Sequence, residues 1–596
     1  MASYAFIIAQ KREEGNVISP IKLSTLENKL IVINGRAIND LIKDIPGRSW
    51  NPQRKVWELP PTRESYERLL KIAPNLEVSQ GAIDLIKQRE KWENAVANQR
   101  DIPWQEQKPL KPMPIKVTPF QHQIAAYNTV GTIFNQIAAY NTVGTIFNLW
   151  TSPKSAGAGL YMEQGTGKTL TTIAVAGTMF LDGVINKMLV VAPSSVVPVW
   201  PNEFESYADF PYQCRVLEGT GAQRTELLNT WKPDPSVLQV AVINYESTWR
   251  IGDALLKWKP DLVVLDESQR IKSPGAKQSK FAHKLGRVTP YRLILTGTPV
   301  SQGPLDFFSQ LKFADPSILG SSYFAMKSRY AIMGGYKDHQ IIGYKNLPEL
   351  TKKVHSIGFR VTKAETLDLP DEVDQIRYCS LEGKAKRMYQ QLVKTSVAEI
   401  SDSKMIVTQN VLTKLLRLSQ FSGGFYAEAG EKPIQVSNAK LNLLEEVLED
   451  LGDQKVVIFA RFLAEIQAIK DLLESRGTRY QFIDGSVPLS ERGAVVEEFQ
   501  KDPDCKVFIA QIQTAGLGIT LHAANVAIFY SLDYSYANLD QAKARLHRIG
   551  QKNTVTYLYL ITKGTVDEKI FKILSKKEDV AKLIVDNWKI LFEEEV

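Results

Sequence analysis

Seven short runs rich in valine, isoleucine and leucine constrain the fold of this chain more than any other feature. They are Lys187–Pro193 (KMLVVAP), Leu238–Asn244 (LQVAVIN), Asp261–Glu267 (DLVVLDE), Tyr291–Gly297 (YRLILTG), Lys455–Arg461 (KVVIFAR), Lys506–Gln511 (KVFIAQ) and Asn525–Ser531 (NVAIFYS). Each is shorter than an ordinary helix and lacks the alternation of a strand with one wet face. Such runs fit parallel strands covered by helices on both sides. They fall into two groups, one before Pro299 and one after Lys455. The expected class is α/β, with two doubly wound parallel-sheet lobes, a helical insertion between them and a small N-terminal α+β domain.

The chain has 596 residues, too many for a single core. The expected divisions are a small domain at 1–78, a helix and basic linker at 79–116, a first lobe at 117–330, a helical insertion at 331–436, a second lobe at 437–580 and a tail at 581–596. In the small domain, Lys29–Asn34 reads as a strand, Ala37–Ile45 as a helix, Ser49–Leu59 as a hairpin and Arg63–Ile72 as an amphipathic helix. A charged helix is expected near Ile83–Ala97. Three scattered cysteines, Cys214, Cys379 and Cys505, have no metal spacing and fit a reducing compartment. No apolar run has the length of a membrane span, and the N-terminus lacks a secretory pattern, so a cytoplasmic protein without membrane contact is expected. A net charge of +8 permits nucleic-acid binding without demonstrating it.

QIAAYNTVGTIFN occurs twice in tandem, at 123–135 and 136–148. At about 100° per residue the second copy is rotated roughly 140° from the first on one helix, so both cannot bury the same face. Either one copy forms a separate turn or bulge, or the duplication arose when the sequence was assembled. It carries no function.

Leu160–Leu170 (LYMEQGTGKTL) reads as a strand end, a glycine-rich turn and a helix start. Gly165 and Gly167 let backbone N–H groups approach phosphate oxygens; Lys168 would reach the β- and γ-phosphates, and Thr169 would ligate Mg²⁺. Met162 stands where the strict phosphate-loop pattern has its first glycine, so only the shorter GxGKT core matches. Asp266 and Glu267 close a strand. They suit a metal-holding carboxylate and a group that orients or deprotonates an attacking water, against the alternative of a solvated acidic turn. Thr296–Pro299 follows the next strand and could sense a γ-phosphate.

Gln541–Gln551 (QAKARLHRIGQ) sets Arg545 and Arg548 three positions apart, one helical neighbour step, with both guanidinium groups expected on one face. Two permanently charged planar forks suit a polyphosphate.

These residues, in this order, resemble the Swi/Snf type of superfamily 2 helicase-like ATPases, from Thr118 to Leu574. PFQHQ resembles the Q motif, with Gln121 as adenine reader; MEQGTGKT resembles motif I, and VVAPSSVVPVWPNEF motif Ia. INYES resembles motif Ic, LDESQRIKSPGAK motif II, LTGTPV motif III, VVIFARF motif IV, IQTAGLGITLHAANVAIFY motif V and QAKARLHRIGQ motif VI. The sequence departs from the family pattern at Ser268, at Tyr534–Tyr536 before motif VI, in motif V and after motif III. The resemblance implies two RecA-like lobes, ATP and Mg²⁺ as substrate and cofactor, and arginine fingers at Arg545 and Arg548. It implies Gly518 and Gln541 as further nucleotide-site residues, and Ser194, Lys272 and Arg461 as DNA phosphate contacts. The partner implied is duplex or branched DNA, bound without sequence preference by a monomer.

GRAINDLIKDIPGRSWNPQRKVWELP resembles the HARP domain of annealing helicases, and compactness leans toward a bacterial or phage source. Arg48, Trp50, Arg54, Lys55 and Trp57 interleave charge with aromatics, which suits base stacking and phosphate contact. The alternative is a hydrophobic-core role. Simple alternation puts Arg48, Trp50 and Arg54 on one face and Lys55 and Trp57 on the other, so at least one tryptophan is expected in the core. The leading expectation is a DNA-dependent ATPase that translocates on duplex and remodels or reanneals forks. A protein-displacing motor and an ATP-gated DNA clamp are the alternatives.

Overall fold

A computed structural model of the chain describes residues 20–26, 29–34, 38–42, 45, 48–143, 156–300, 303–334, 340–366, 370–401, 408–427, 432–488, 491–512, 519–548 and 550–576. Two compact units meet in the sequence at Thr362–Lys363. The candidate Gly518 and the expected tail lie outside the described residues.

The first unit begins with five strands: β1 (Lys22–Leu26), β2 (Lys29–Ile33), β3 (Ser49–Asn51), β4 (Val56–Leu59) and β5 (Glu77–Val78). Their order is β3-β4-β2-β1-β5, with only the β1–β5 pair parallel. Leu30, Val32 and Leu59 point to one face, where Leu69 of the helix Arg63–Ile72 and Ile86 of the helix Gln80–Asp101 cover them. Thr62 caps the first helix by accepting from Ser65 N, and Ser79 caps the second by accepting from Ala82 N.

Six further strands, β6 (Ala156–Met162), β7 (Lys187–Ala192), β8 (Tyr212–Val216), β9 (Leu238–Asn244), β10 (Leu262–Asp266) and β11 (Tyr291–Leu295), are followed by a hairpin, β12 (Ala331–Gly334) and β13 (Gln340–Tyr344), and by β14 (Gly358–Val361). All but the hairpin join one parallel sheet of order β14-β6-β11-β10-β7-β9-β8. β10 is buried along its whole length, the burial that its uninterrupted LVVL run requires. In such a sheet ligands bind outside the carboxyl ends of the strands. The loops after β6, β10 and β11 all leave from that edge.

The second unit contains β15 (Glu372–Ser380), a short pair β16 (Phe425–Tyr426) and β17 (Ile434–Gln435), then β18 (Val456–Ala460), β19 (Tyr480–Ile483), β20 (Val507–Gln511), β21 (Val526–Phe529) and β22 (Val555–Lys563). The main sheet is again parallel, β15-β22-β21-β18-β20-β19. Val457 and Phe459 of β18 enter one core, and Val456, Ile458 and Ala460 enter another on the opposite face. This two-sided burial is why the run has no polar alternation.

The segment 331–436, expected to be helical, also supplies an edge strand to each sheet, β14 to the first and β15 to the second. Both escaped the apolar-run criterion because edge strands are not buried on both faces; β15 is largely exposed. The tandem repeat forms no break at its junction: one helix runs from Gln121 to Val143. Ala126, Tyr127, Val130, Ile133 and Phe134 of the first copy enter the core. Residues 144–148 of the second copy lie outside the described residues.

Candidate functional site

The turn after β6 is shaped by two glycines in the left-handed region, Gly165 (φ 85°) and Gly167 (φ 92°). Gly167 directly precedes the helix Lys168–Leu181, whose N-terminus points unpaired N–H groups and a partial positive charge at the turn. A Cβ on Gly167 would stand 2.1 Å from Gln123 Nε2 and displace the end of that side chain, while the left-handed backbone is what favours glycine there. Lys168 is almost fully buried, and its Nζ donates to the carbonyls of Met162 (2.8 Å) and Glu163 (3.3 Å). Thr169 is half-buried on the same first helical turn.

Asp266 ends β10 and is 7% exposed. Trp200 Nε1 donates to its Oδ2 at 3.1 Å, and Tyr245 Oη donates to its backbone carbonyl at 2.8 Å. Burial, reinforced by the adjacent Glu267 carboxylate, pushes the Asp266 carboxyl up to about 7; Lys168 and the Trp200 donor pull the other way. Glu267 adopts φ 52°, a left-handed conformation that costs a non-glycine residue energy and clusters at functional sites. Gln269 Nε2 donates to Glu267 Oε2 (2.7 Å), Thr296 Oγ1 donates to Gln269 Oε1 (2.8 Å), and Thr298 N donates to Thr296 Oγ1 (3.1 Å). This chain joins the acidic pair after β10 to the Thr-Gly-Thr-Pro loop after β11. Ser268 occupies a fully buried place and donates to Gln310 Oε1 at 2.7 Å, which gives the serine a use.

Gly165, Gly167, Lys168, Thr169, Asp266 and Glu267 thus all follow the carboxyl ends of strands of one parallel sheet. Gln121 is exposed at the start of its helix. Gln123, like the adjacent His122, is buried; its Oε1 accepts from Phe120 N at 2.9 Å while its amide nitrogen lies against Gly167. Sequence reasoning passed over Gln123; its place two residues into a helix that covers the phosphate turn was the available signal. Ser194, exposed after β7, accepts from Asn244 Nδ2 at 3.0 Å, and Lys272 is half-buried after the acidic pair.

In the second unit, Gln541 lies half-buried on the helix Tyr536–Lys543. That helix ends before the arginines, so Arg545 and Arg548 do not share a helical face. Successive tight turns carry them: Arg545 N donates to Ala542 O and Arg548 N to Leu546 O. Gly550, at φ 101°, takes a left-handed conformation in the same segment. Arg545 is 7% exposed and Arg548 is half-buried.

Arg461, an expected DNA phosphate contact, is mostly enclosed here. Its side chain is 9% exposed, its Nη2 lies 3.7 Å from Asp533 Oδ1, and its guanidinium stands 3.8 Å from the Tyr534 ring centroid. The tyrosine that replaces the family's usual residue is thus the platform for this arginine. In the hairpin, Trp50 and Trp57 are cross-strand partners and so share one face, with ring centroids 5.3 Å apart. The turn at 52–55 reverses the chain, which simple alternation ignored. Trp57 packs against the small core and donates through Nε1 to Asn39 Oδ1 at 2.5 Å. Trp50, Arg54 and Lys55 are exposed, and Arg48 is half-buried with Nη1 donating to Ile45 O at 3.1 Å.

Among the described residues no helix is long and apolar enough to cross a membrane. The model of the SNF2-related domain matches residues 87–423, more than half of the chain, and that of the helicase conserved C-terminal domain matches 439–550. The chain is 30% identical over 427 residues to the DNA annealing helicase and endonuclease ZRANB3 of Bos taurus, covering 70% of this chain and 38% of that protein. It is 26% identical over 476 residues to the DNA repair and recombination protein RAD54-like of Gallus gallus, covering 73% of this chain and 65% of that protein. The chain thus spans less than two thirds of either relative. Among solved structures it is similar to the Sulfolobus solfataricus SWI2/SNF2 ATPase core in complex with dsDNA, at 26% identity and a TM-score of 0.38, over 82% of this chain and 100% of that one. With both domain models matched in the order that its motifs follow, the chain belongs to the SNF2-related family of helicase-like, ATP-dependent enzymes.

Proposed function

We propose that this chain is a DNA-dependent ATPase that translocates on double-stranded DNA and remodels or reanneals branched DNA. The observation that carries the hydrolytic part is the juxtaposition of buried Lys168 and buried Asp266, beside Glu267, at the carboxyl edge of one parallel sheet. Lys168 and the turn at Gly165–Gly167 bind the β- and γ-phosphates of ATP. Lys168 exchanges its bonds to the Met162 and Glu163 carbonyls for phosphate oxygens. Gln121 reads the adenine, with Gly518 and Gln541 as further nucleotide contacts. Glu267 orients or deprotonates the attacking water. Its left-handed backbone and its bond to Gln269 fix the direction of the carboxylate. Arg545 and Arg548 of the second unit serve the transferred phosphoryl group as arginine fingers, a role worth roughly 10³–10⁵ in rate.

The residues also fit a Mg²⁺ ion. Thr169 and Asp266 supply hard oxygen donors, and a divalent cation would hold ionised a carboxyl that burial otherwise raises to about 7. Magnesium binds through one or two carboxylates plus substrate phosphates in such sites, without a full protein cage. When bound, it neutralises charge on the phosphates.

The annealing part draws support from the name of the 30% identical relative and from the N-terminal hairpin. Ser194 and Lys272 are proposed as phosphate contacts. Trp50, Arg48 and Lys55 are proposed as single-strand or fork contacts, with exposed Trp50 as the stacking surface. Binding through phosphates makes affinity salt-sensitive and indifferent to sequence. A monomer in the cytoplasm suffices for this activity.

Displacement of a triplex-forming strand from duplex DNA tests translocation, and regression of a synthetic fork tests remodelling. ATP-dependent activity in both assays supports the reading. Hydrolysis without triplex displacement would reduce the protein to an ATP-gated clamp.

A further inference from the structure

The segment that carries Arg545 and Arg548 is held from several sides within the second unit. Leu521 N donates to Arg545 O at 2.9 Å, and Gln551 Nε2 donates to the carbonyls of His522 (3.2 Å) and Ala524 (2.8 Å). A further hold is a side chain that the motif reading left without a task. His547 lies between the two arginines. Its Nε2 is 2.8 Å from Pro370 O, and its Nδ1 is 2.6 Å from Glu372 Oε1. The second contact is close but outside hydrogen-bond alignment. Both partners are acceptors only.

Pro370 and Glu372 stand at the start of β15. Asp374, two residues on and therefore on the same face, accepts from Lys543 Nζ at 2.9 Å. Lys543 also lies 4.1 Å from the Tyr557 ring centroid, and the Tyr557 hydroxyl donates to Lys543 O at 3.0 Å. The Glu372 carboxyl is brought down to about 2: burial raises it, and the close contact with His547 together with the charges of Lys543 and Lys363 outweighs burial. Two side chains of the arginine segment are thus tied to two carboxylates on one strand. That strand is the first after Thr362–Lys363, where the chain passes from one unit to the other.

We propose that His547 is a positioning residue, which tethers the arginine-bearing turn to β15 through Glu372 and Pro370 and so sets where Arg545 and Arg548 are presented. The proposal rests on the arginine-finger reading given above. The His547 side chain is 12% exposed and that of Glu372 36%, so the pair is mostly enclosed and also adds to folding stability. Its work is to restrict the turn, and misplacement of a catalytic group costs rate more than binding.

The test uses the full chain with ATP, Mg²⁺ and duplex DNA, comparing wild type, His547→Ala, His547→Gln, Glu372→Gln and the double variant His547→Ala/Glu372→Gln. His547→Ala and Glu372→Gln are expected to lower kcat about three- to tenfold, with the KM for ATP changed less than about twofold, at a temperature where melting curves show every variant fully folded. His547→Gln, which can still donate to Pro370 O, recovers part of the loss. The double variant is no slower than the slower single variant, because both remove one tether. Unchanged kcat in the single variants, or losses that multiply in the double variant, would overturn the proposal. Glu372→Gln alters the solvent side of an edge strand and keeps the test readable if His547→Ala misfolds. Wild-type protein without DNA-stimulated hydrolysis would defeat the parent reading instead.

Discussion

Asp266→Asn should stabilise the nucleotide-free protein at neutral and alkaline pH while abolishing ATP hydrolysis. The carboxyl sits 7% exposed beside Glu267, and burial with that like charge raises it from 3.8 to about 7. The sign follows from linkage. A carboxyl that holds its proton more tightly when folded favours the folded state at low pH. That advantage is fully present below about 4 and is lost as pH rises through about 7. The gap between 3.8 and about 7, at 1.36 kcal/mol per decade, sets a ceiling of about 4 kcal/mol on what the charged form costs at pH 8. Asparagine keeps the shape and an oxygen that can accept from Trp200 Nε1, and it carries no charge. The assay is denaturation of both proteins from pH 4 to pH 9 without nucleotide or Mg²⁺, following the transition of the first unit. Buried His283 of the same unit, lowered from 6.5 to about 4, makes both proteins gain stability as pH rises over this range, so the readout is the difference between the two curves: the variant's advantage should grow from pH 4 to 7 and reach about 2–4 kcal/mol at pH 8. Mg²⁺ with ATP should narrow the gap by stabilising only the wild type. A variant no more stable than wild type at pH 8, or one that still hydrolyses ATP, would refute the reasoning.

Trp200→Phe removes a donor to the Asp266 carboxylate, so the acid limb of kcat/KM should move to higher pH, with activity recovering as pH rises; a pH–rate profile checks this. Gly167→Ala should cost about 1–2 kcal/mol from the left-handed backbone alone and weaken nucleotide binding further through overlap with Gln123, read by nucleotide titration and melting. Lys440→Met leaves buried Asp567 without its cation and should destabilise the second unit by about 3–5 kcal/mol, with Lys440→Met/Asp567→Leu recovering much of it in denaturation. Trp57→Ala should destabilise the small N-terminal domain by about 2 kcal/mol or more, whereas Trp50→Ala should leave melting nearly unchanged and weaken single-strand or fork binding in a titration.

Several central strands were legible in the sequence because two-sided burial leaves an uninterrupted apolar run, as in LVVLD of β10 and VVIFA of β18, whereas central β22, whose run is broken by threonines and tyrosines, was missed. Strands with a wet face were missed too. Tyr212–Val216 alternates half-buried and exposed residues, and Glu372–Ser380 is mostly solvent-facing, so neither produces a run. The phosphate turn could be read because glycine spacing and a following helix are local properties. The environment of Asp266 could not, since Trp200 and Tyr245 reach it from distant segments. The arginine segment shows the limit of periodicity: three positions apart implied a shared helical face, and the helix instead ends at Lys543. The enclosure of Arg461 was equally hidden, because Asp533 and Tyr534 reach it from a distant segment.

The central claim is that Lys168, Asp266 and Glu267 form an ATP-hydrolysing site governed by DNA. It is tested most directly by the steady-state ATPase rate of the wild type and Glu267→Gln with no DNA and with single-stranded, duplex and forked DNA. Duplex or forked DNA should raise the wild-type rate by at least about tenfold. Glu267→Gln should retain ATP binding and show no stimulation by any DNA. A wild-type rate indifferent to DNA, or near-normal turnover by Glu267→Gln, would contradict the account.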